Sequence, residues 1–266
     1  MAIITKKNGK LEYLVAENIT VPHCFTTRYG GVSTGSQESL NLALGRGDSP
    51  ENVDANLRIL AKELGYDPET YVMTWQIHSD IVRVVTEEDC RGFIHRNYPQ
   101  CDALVTNTPG VTLLVFTADC TPLLFHDPVT GAVGAAHAGW RGTAQNIGAK
   151  TVAAMVENFG CKPEDIRAAI GPNLSQCHFE TDLDVPAAMI AAFGEDIQTF
   201  IRQKGEKYYP DLKAINAYAL RKAGVRQIEI SEHCTWCESD RFWSHRVTKG
   251  DRGSQGAVIT CKEGKA

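Results

Sequence analysis

The 266-residue chain has no apolar run long enough to cross a bilayer, and its N-terminus, MAIITKKNGKLEYLVAENI, lacks the continuous apolar core of an export signal. These two absences predict a cytoplasmic protein with no membrane partner. Lysine and arginine number 27 against 32 acidic residues and form no extended cluster, so the net charge of −5 offers no basic surface for a phosphate backbone. Nucleic acid is not an expected partner. No Pro-, Ser- or Gly-rich stretch divides the chain, and no segment recurs at a fixed period. A single catalytic domain over residues 1–266 is the expectation.

Disulfides are not expected either. The nine cysteines are odd in number and scattered, with no export signal to carry them to an oxidising compartment. Cys24, Cys90, Cys101, Cys161 and Cys261 read as small packing residues. Cys234 and Cys237 form CTWC, the spacing of a metal knuckle or a redox pair, but no second CxxC or HxxxH completes a four-ligand site. Packing is the expected role of that pair.

What the chain does contain is an alternation of strands and helices. Ser49 and Pro50 open a helix whose Val53, Leu57, Leu60, Ala61 and Leu64 recur at helical spacing until Gly65. IVRVVT, DALVTN, VTLLVF, PLLFH and GAVGAAH follow as strands and suggest one large sheet. From Thr143 a second helical stripe through Ile147, Thr151 and Met155 runs to Gly160. RAAIG, RQIEIS and GAVITC read as strands, VPAAMIAAF and LKAINAYALRKAG as helices. Bunched strands with flanking helices point to an α+β or layered mixed fold.

The chemistry concentrates in TADCTPLLFHDPVTGAVGAAHAGWRG, residues 117–142. DPVTG is dense in turn formers between two apolar runs, which predicts a fold-back that brings Asp119 and Cys120 near His137 and Arg141. Gln76-Ile77-His78-Ser79 supplies a second histidine just before a strand. His78, Cys120 and His137 are then three N and S ligands from separate segments, 42 and 17 residues apart, a dispersed pattern that suits catalytic zinc with a fourth position left open. Spacing alone does not separate this trio from coincidence among eight histidines and nine cysteines.

FTTRYGGVS (25–33), QIHS (76–79), DALVT (102–106), TADCTPLLF (117–125), HAGWRGT (137–143), AAIGP (168–172) and FWSHR (242–246) carry a resemblance to the bacterial YfiH-like family. That family is also called the laccase-domain or polyphenol oxidase family, and its members are described as purine nucleoside phosphorylases. The resemblance implies a four-layer α/β/β/α sandwich with mixed sheets and a catalytic zinc on His78, Cys120 and His137. It also implies phosphorolysis of adenosine, inosine and S-methyl-5'-thioadenosine, with deamination of adenosine. Purine nucleosides and phosphate would be the partners.

Within that expectation, Arg28, Arg141 and Arg246 could present guanidinium forks to phosphate or ribose. Arg141 is favoured among them because it lies between glycines at a predicted helix start. Asp119 could shuttle a proton or orient a neighbour, and Gln76 and Asp102 are lesser candidates of the same kind. Trp140, Phe242 and Trp243 could stack a purine, but core packing is their default. Where many relatives read FFSYRRD this chain reads FWSHRVT, so Val247 replaces the second arginine, while Arg252 still matches a later one. Glu180 matches an acidic family position only by place. Eight histidines without one H-x-H pair argue against a four-copper cluster, although Cu(II) could enter a His2Cys site. Two other readings stay open: a metal-free hydrolase with Cys120 as nucleophile and His137 as base, and an editing factor acting on a cell-wall (peptidoglycan) precursor.

Overall fold

The structure, a computed structural model, describes residues 2–45, 47–90 and 99–262. It opens with a hairpin, β1 (Ile3–Asn8) and β2 (Leu11–Ala16), followed by β3 (His23–Thr26). Helix α1 (Pro50–Leu64) has the limits its sequence dictates. Ser49 caps it by accepting from the Asn52 N–H, Pro50 enters the first turn, and Gly65 ends it at φ 73°, a conformation without penalty only for glycine.

The apolar runs that come next form β4 (Tyr71–Met73), β5 (Val82–Val84), β6 (Ala103–Thr106), β7 (Thr112–Thr117), β8 (Thr121–His126) and β9 (Val133–Ala138). The helix expected from Thr143 starts earlier and breaks: α2 (Trp140–Ala144) and α3 (Ile147–Phe159) meet at Asn146, which sits at φ 61°, a conformation asparagine tolerates and a helix does not. The remaining elements are β10 (Arg167–Ile170), α4 (Asp184–Phe193), the hairpin β11 (Ile201–Lys204) and β12 (Lys207–Pro210), α5 (Leu212–Lys222), β13 (Gln227–Ile230), α6 (His245–Thr248) and β14 (Gln255–Thr260).

The single large sheet expected from the strand runs is two sheets. One has the order β1-β2-β3-β14-β7-β4 and the other β13-β10-β8-β9-β6-β5, six strands each and mixed in direction. Strands β7 and β8 are adjacent in sequence yet belong to different sheets. Both are buried on both faces, so their apolar pattern carries no sign of which sheet they join. Phe25, Leu113, Val115, Leu124, Ala135 and Ala257 fill the space between the sheets, and Val53, Leu57 and Leu60 of α1 join the same core. On the far side, Ile147, Val152 and Met155 of α3 and Leu220 of α5 cover the second sheet. This is the α/β/β/α layering that the resemblance implied. No helix among the described residues is long and apolar enough to cross a membrane.

Candidate metal centre and its cavity

Strands β8 and β9 form the predicted hairpin around Asp127, whose side chain accepts from the Val129 N–H at 2.8 Å. Its register sets Pro122 opposite His137 and Thr121 opposite Ala138, which leaves Cys120 across from Gly139 at the open end. Residues 118–120 are also where the chain passes from the first sheet to the second. Asp119 makes that passage at φ 86°, and His78, on the loop after β4, sits at φ 60°. Both are left-handed conformations that non-glycine residues adopt only when their surroundings hold them there.

The Asp119 carbonyl accepts from Leu174 N–H at 2.9 Å, and its carboxylate accepts from the Thr235 hydroxyl at 2.6 Å and the Arg246 N–H at 2.7 Å. The His78 loop is gathered by Asp102, which is fully buried just before β6. Asp102 accepts from the N–H groups of Ile77 (3.1 Å), His78 (3.1 Å) and Ser79 (2.8 Å) and from the Ser79 hydroxyl (2.7 Å). The same carboxylate lies 2.8 Å from Nδ1 of His137. One buried anion thus sets the loop of one histidine and the ring of the other, leaving Nε2 of His137 to face the site. Asp102 therefore carries far more of the site than its residue type and position alone suggested.

The donors converge. One ligand atom from each of His78, Cys120 and His137 lies within 4.8 Å of the others, and the two imidazole rings meet edge to face with centroids 4.9 Å apart. Burial pulls the His137 imidazolium down, but the Cys120 sulfur and the Asp102 carboxylate outweigh it and push the group up to about 9. His78 moves the other way, lowered by burial and by the neighbouring His137 and Arg141 cations. For Asp102, burial alone would raise the carboxyl, and hydrogen bonds from His137 and Ser79 hold it instead at about 2.

Gly139 completes the cradle. A Cβ there would come within 2.7 Å of His78 Nδ1 and 3.2 Å of Cys120 Sγ, so the position has to lack a side chain for the three donors to share one space. Two imidazoles and a thiol around such a space fit a borderline-soft divalent cation with an open coordination position.

The trio borders a cavity of about 230 Å³ whose wall also includes Gln76, Thr117 and Arg252. Gln76 is committed there: its amide oxygen accepts from the Thr74 hydroxyl and the Phe116 N–H, and its Nε2 donates to the Phe116 carbonyl. Arg252 is buried in the cavity wall and donates to the Gly253 carbonyl and the Ser254 hydroxyl. The other arginines sit elsewhere. Arg28 stacks 4.0 Å over Trp243 and donates to the Ser239 carbonyl. Exposed Arg141 lies 4.3 Å over Trp140, close enough for its charge to be felt by His78. Arg246 donates to the Glu180 carbonyl, and the Glu180 carboxylate accepts from Tyr209. Phe242 and Trp243 are core residues.

A fold of two mixed sheets between helix layers, with two histidines and a cysteine gathered at the point where the chain changes sheets, defines an α/β/β/α protein with a candidate metal site. The chain belongs to the family described as multi-copper polyphenol oxidoreductase laccase, whose model matches residues 22–262. It is 42% identical over 250 residues, covering 94% of this chain and 92% of the other, to a protein of Deinococcus radiodurans named purine nucleoside phosphorylase. It is 37% identical, covering 90% and 88%, to the Bacillus subtilis purine nucleoside phosphorylase YlmD. Its fold matches the crystal structure of YlmD from Geobacillus stearothermophilus with a TM-score of 0.91 at 33% identity, covering 98% and 100% of the two chains.

Proposed function

We propose that the protein is a zinc-dependent purine nucleoside phosphorylase that acts on adenosine, inosine and S-methyl-5'-thioadenosine and also deaminates adenosine. The observation that carries this reading is the convergence of His78, Cys120 and His137 on the wall of one small polar cavity, in a chain whose relatives are named for phosphorolysis. A divalent cation bound there would supply Lewis-acid stabilisation of developing charge at the purine end of the substrate. The chain's own residues do the rest. Asp102 fixes the proton of His137 on Nδ1 and orients the ring. Arg252 places a guanidinium in the cavity wall, and Arg141 a second one near His78, where an anion such as phosphate gains from both. Asp119, bonded to Thr235 and Arg246, keeps Cys120 at the cavity edge instead of moving protons itself.

The test is elemental analysis of the purified protein together with phosphate-dependent release of free base from adenosine and inosine. About one metal ion per chain at this centre and base release that needs phosphate support the reading. Base release absent with every nucleoside, metal loaded, refutes it.

A second reading rests on one specific observation. Asp102, His137 and Cys120 form a hydrogen-bonded line, the arrangement of an activated thiol nucleophile. Rapid alkylation of Cys120 in protein that binds no metal, with hydrolase activity lost in step, would favour it. Turnover of a cell-wall precursor with no nucleoside turnover would point to the editing role instead.

A further inference from the structure

Strand β10 pairs in parallel with β13, and the loops that leave their C-terminal ends emerge side by side, bridged between Asn173 and Cys234. The first loop carries Cys177 and His178, and the second is CTWC, Cys234 to Cys237. Cys177 Sγ lies 3.6 Å from Cys234 Sγ and 3.7 Å from Cys237 Sγ. His178 Nδ1 lies 3.2 Å from Cys177 Sγ and 3.3 Å from Cys237 Sγ. All four ligand atoms fall within 4.8 Å of one another. The second half of the site that CTWC lacks in sequence is thus an adjacent Cys-His pair.

The distances select a ligand. A disulfide would need about 2.05 Å between two of the sulfurs, leaving the third cysteine and the histidine without a role. A tetrahedron with bonds of about 2.3 Å to sulfur and about 2.1 Å to nitrogen sets S···S at about 3.8 Å and S···N at about 3.6 Å, within a few tenths of the two S···S and two S···N distances given above. The surroundings are those of a bound thiolate. Backbone N–H groups of Cys237, Ser175 and Trp236 lie beside the Cys234 sulfur and favour its thiolate form. The Trp236 ring stacks on His178 at 5.1 Å and 12°, fixing the imidazole plane. Buried Lys213 donates to Ser175 Oγ (3.0 Å) and the His233 carbonyl (2.7 Å) beside the cluster, where its charge offsets the single negative charge of a divalent ion with three thiolates.

We propose that Cys177, His178, Cys234 and Cys237 bind a second divalent cation, zinc by donor set, in a closed structural site. Binding displaces one proton from each thiol to solvent and changes no oxidation state. All four coordination positions are filled by the protein, so the ion does no chemistry on substrate. Its effect is mechanical. Thr235, inside the CTWC loop, donates to the Asp119 carboxylate at 2.6 Å and its N–H bonds the Asn173 carbonyl at 2.9 Å, so the ion would lock the loop that steadies the turn carrying Cys120.

The experiment separates the two centres. The full chain as purified should carry about two metal ions, and Cys120→Ala should keep one. Cobalt(II) added to metal-stripped Cys120→Ala should give the intense visible bands of a tetrahedral ion and a near-ultraviolet thiolate charge-transfer band, both lost in Cys120→Ala with Cys234→Ser. Because Cys120→Ala leaves the second site whole, a misfolded Cys234→Ser protein does not blur the result. Cobalt bands absent from Cys120→Ala, or a Cys177–Cys234 disulfide in the purified protein by mass spectrometry, overturns the proposal. A single ion that survives Cys120→Ala and is lost with Cys234→Ser upholds it and overturns the assignment of metal to His78, Cys120 and His137.

Discussion

Asp102→Asn is the sharpest perturbation of the first centre. The wild-type carboxylate accepts from three backbone N–H groups, one hydroxyl and the His137 ring, whereas an amide offers one acceptor oxygen and turns two N–H donors toward these donors. The carboxyl is held at about 2 against an ordinary 3.8, and a shift of that size corresponds to ~2–3 kcal/mol of folding stability at neutral pH. Because the folded value is depressed, that contribution is complete above about pH 4 and disappears as pH falls through about 2. The Asn variant should therefore unfold in urea with a deficit of about 2–3 kcal/mol at pH 7 that narrows below pH 4. Its metal affinity, measured by competition with a chromophoric chelator, should fall about 10- to 100-fold, as expected when the group orienting a ligand histidine is removed. Ser79→Ala, which deletes one of the five donors, should lose roughly 1 kcal/mol and little affinity. Wild-type metal affinity in Asp102→Asn, or a stability deficit that does not change with pH, would refute the role given to this carboxylate.

Cys120→Ala should remove the metal ion of the first centre while leaving the fold intact, and full occupancy there in elemental analysis would contradict the ligand set. In the metal-free protein the His137 imidazolium persists to about pH 9, so metal must displace its proton; affinity should climb about tenfold per pH unit between pH 7 and 9 and then level, and calorimetry in buffers of different ionisation heat should count the proton released. Gly139→Ala should weaken metal binding without unfolding the chain, because the added methyl enters the space shared by His78 and Cys120; unchanged affinity would show that the cradle is looser than its 2.7 Å approach indicates. Arg141→Ala should lower phosphorolysis at limiting phosphate by about 10- to 100-fold, the worth of a charge-assisted hydrogen bond, and deamination by less, with Arg141→Lys restoring only part. An equal fall in both reactions would make Arg141 a general binding residue.

Local chemistry settled much of this protein in advance. Ser49, Pro50 and Gly65 bound α1 because capping and left-handed termination depend on neighbours within one turn. DPVTG predicted the β8–β9 hairpin because an aspartate that hydrogen-bonds its own following backbone makes a turn wherever it stands, and that hairpin register alone brings Cys120 beside His137. The Asn8-Gly9 turn of the first hairpin was equally local and equally readable, though its charged flanks hid it.

Only the tertiary structure decided the rest. Strands β7 and β8 carry similar apolar runs because each is buried on both faces, and nothing in such a run says that the chain changes sheets at Asp119. The reach of Asp102 was invisible for a related reason, since its partners are backbone N–H groups some 25 residues away, a kind of contact no spacing rule encodes. Cys177 and Cys234 stand 57 residues apart and become neighbours through the parallel pairing of β10 with β13. Sequence names the ligands that chemistry prefers; the pairing of distant strands chooses which of them meet, because sheet hydrogen bonds are made between backbones whose separation along the chain leaves no local trace.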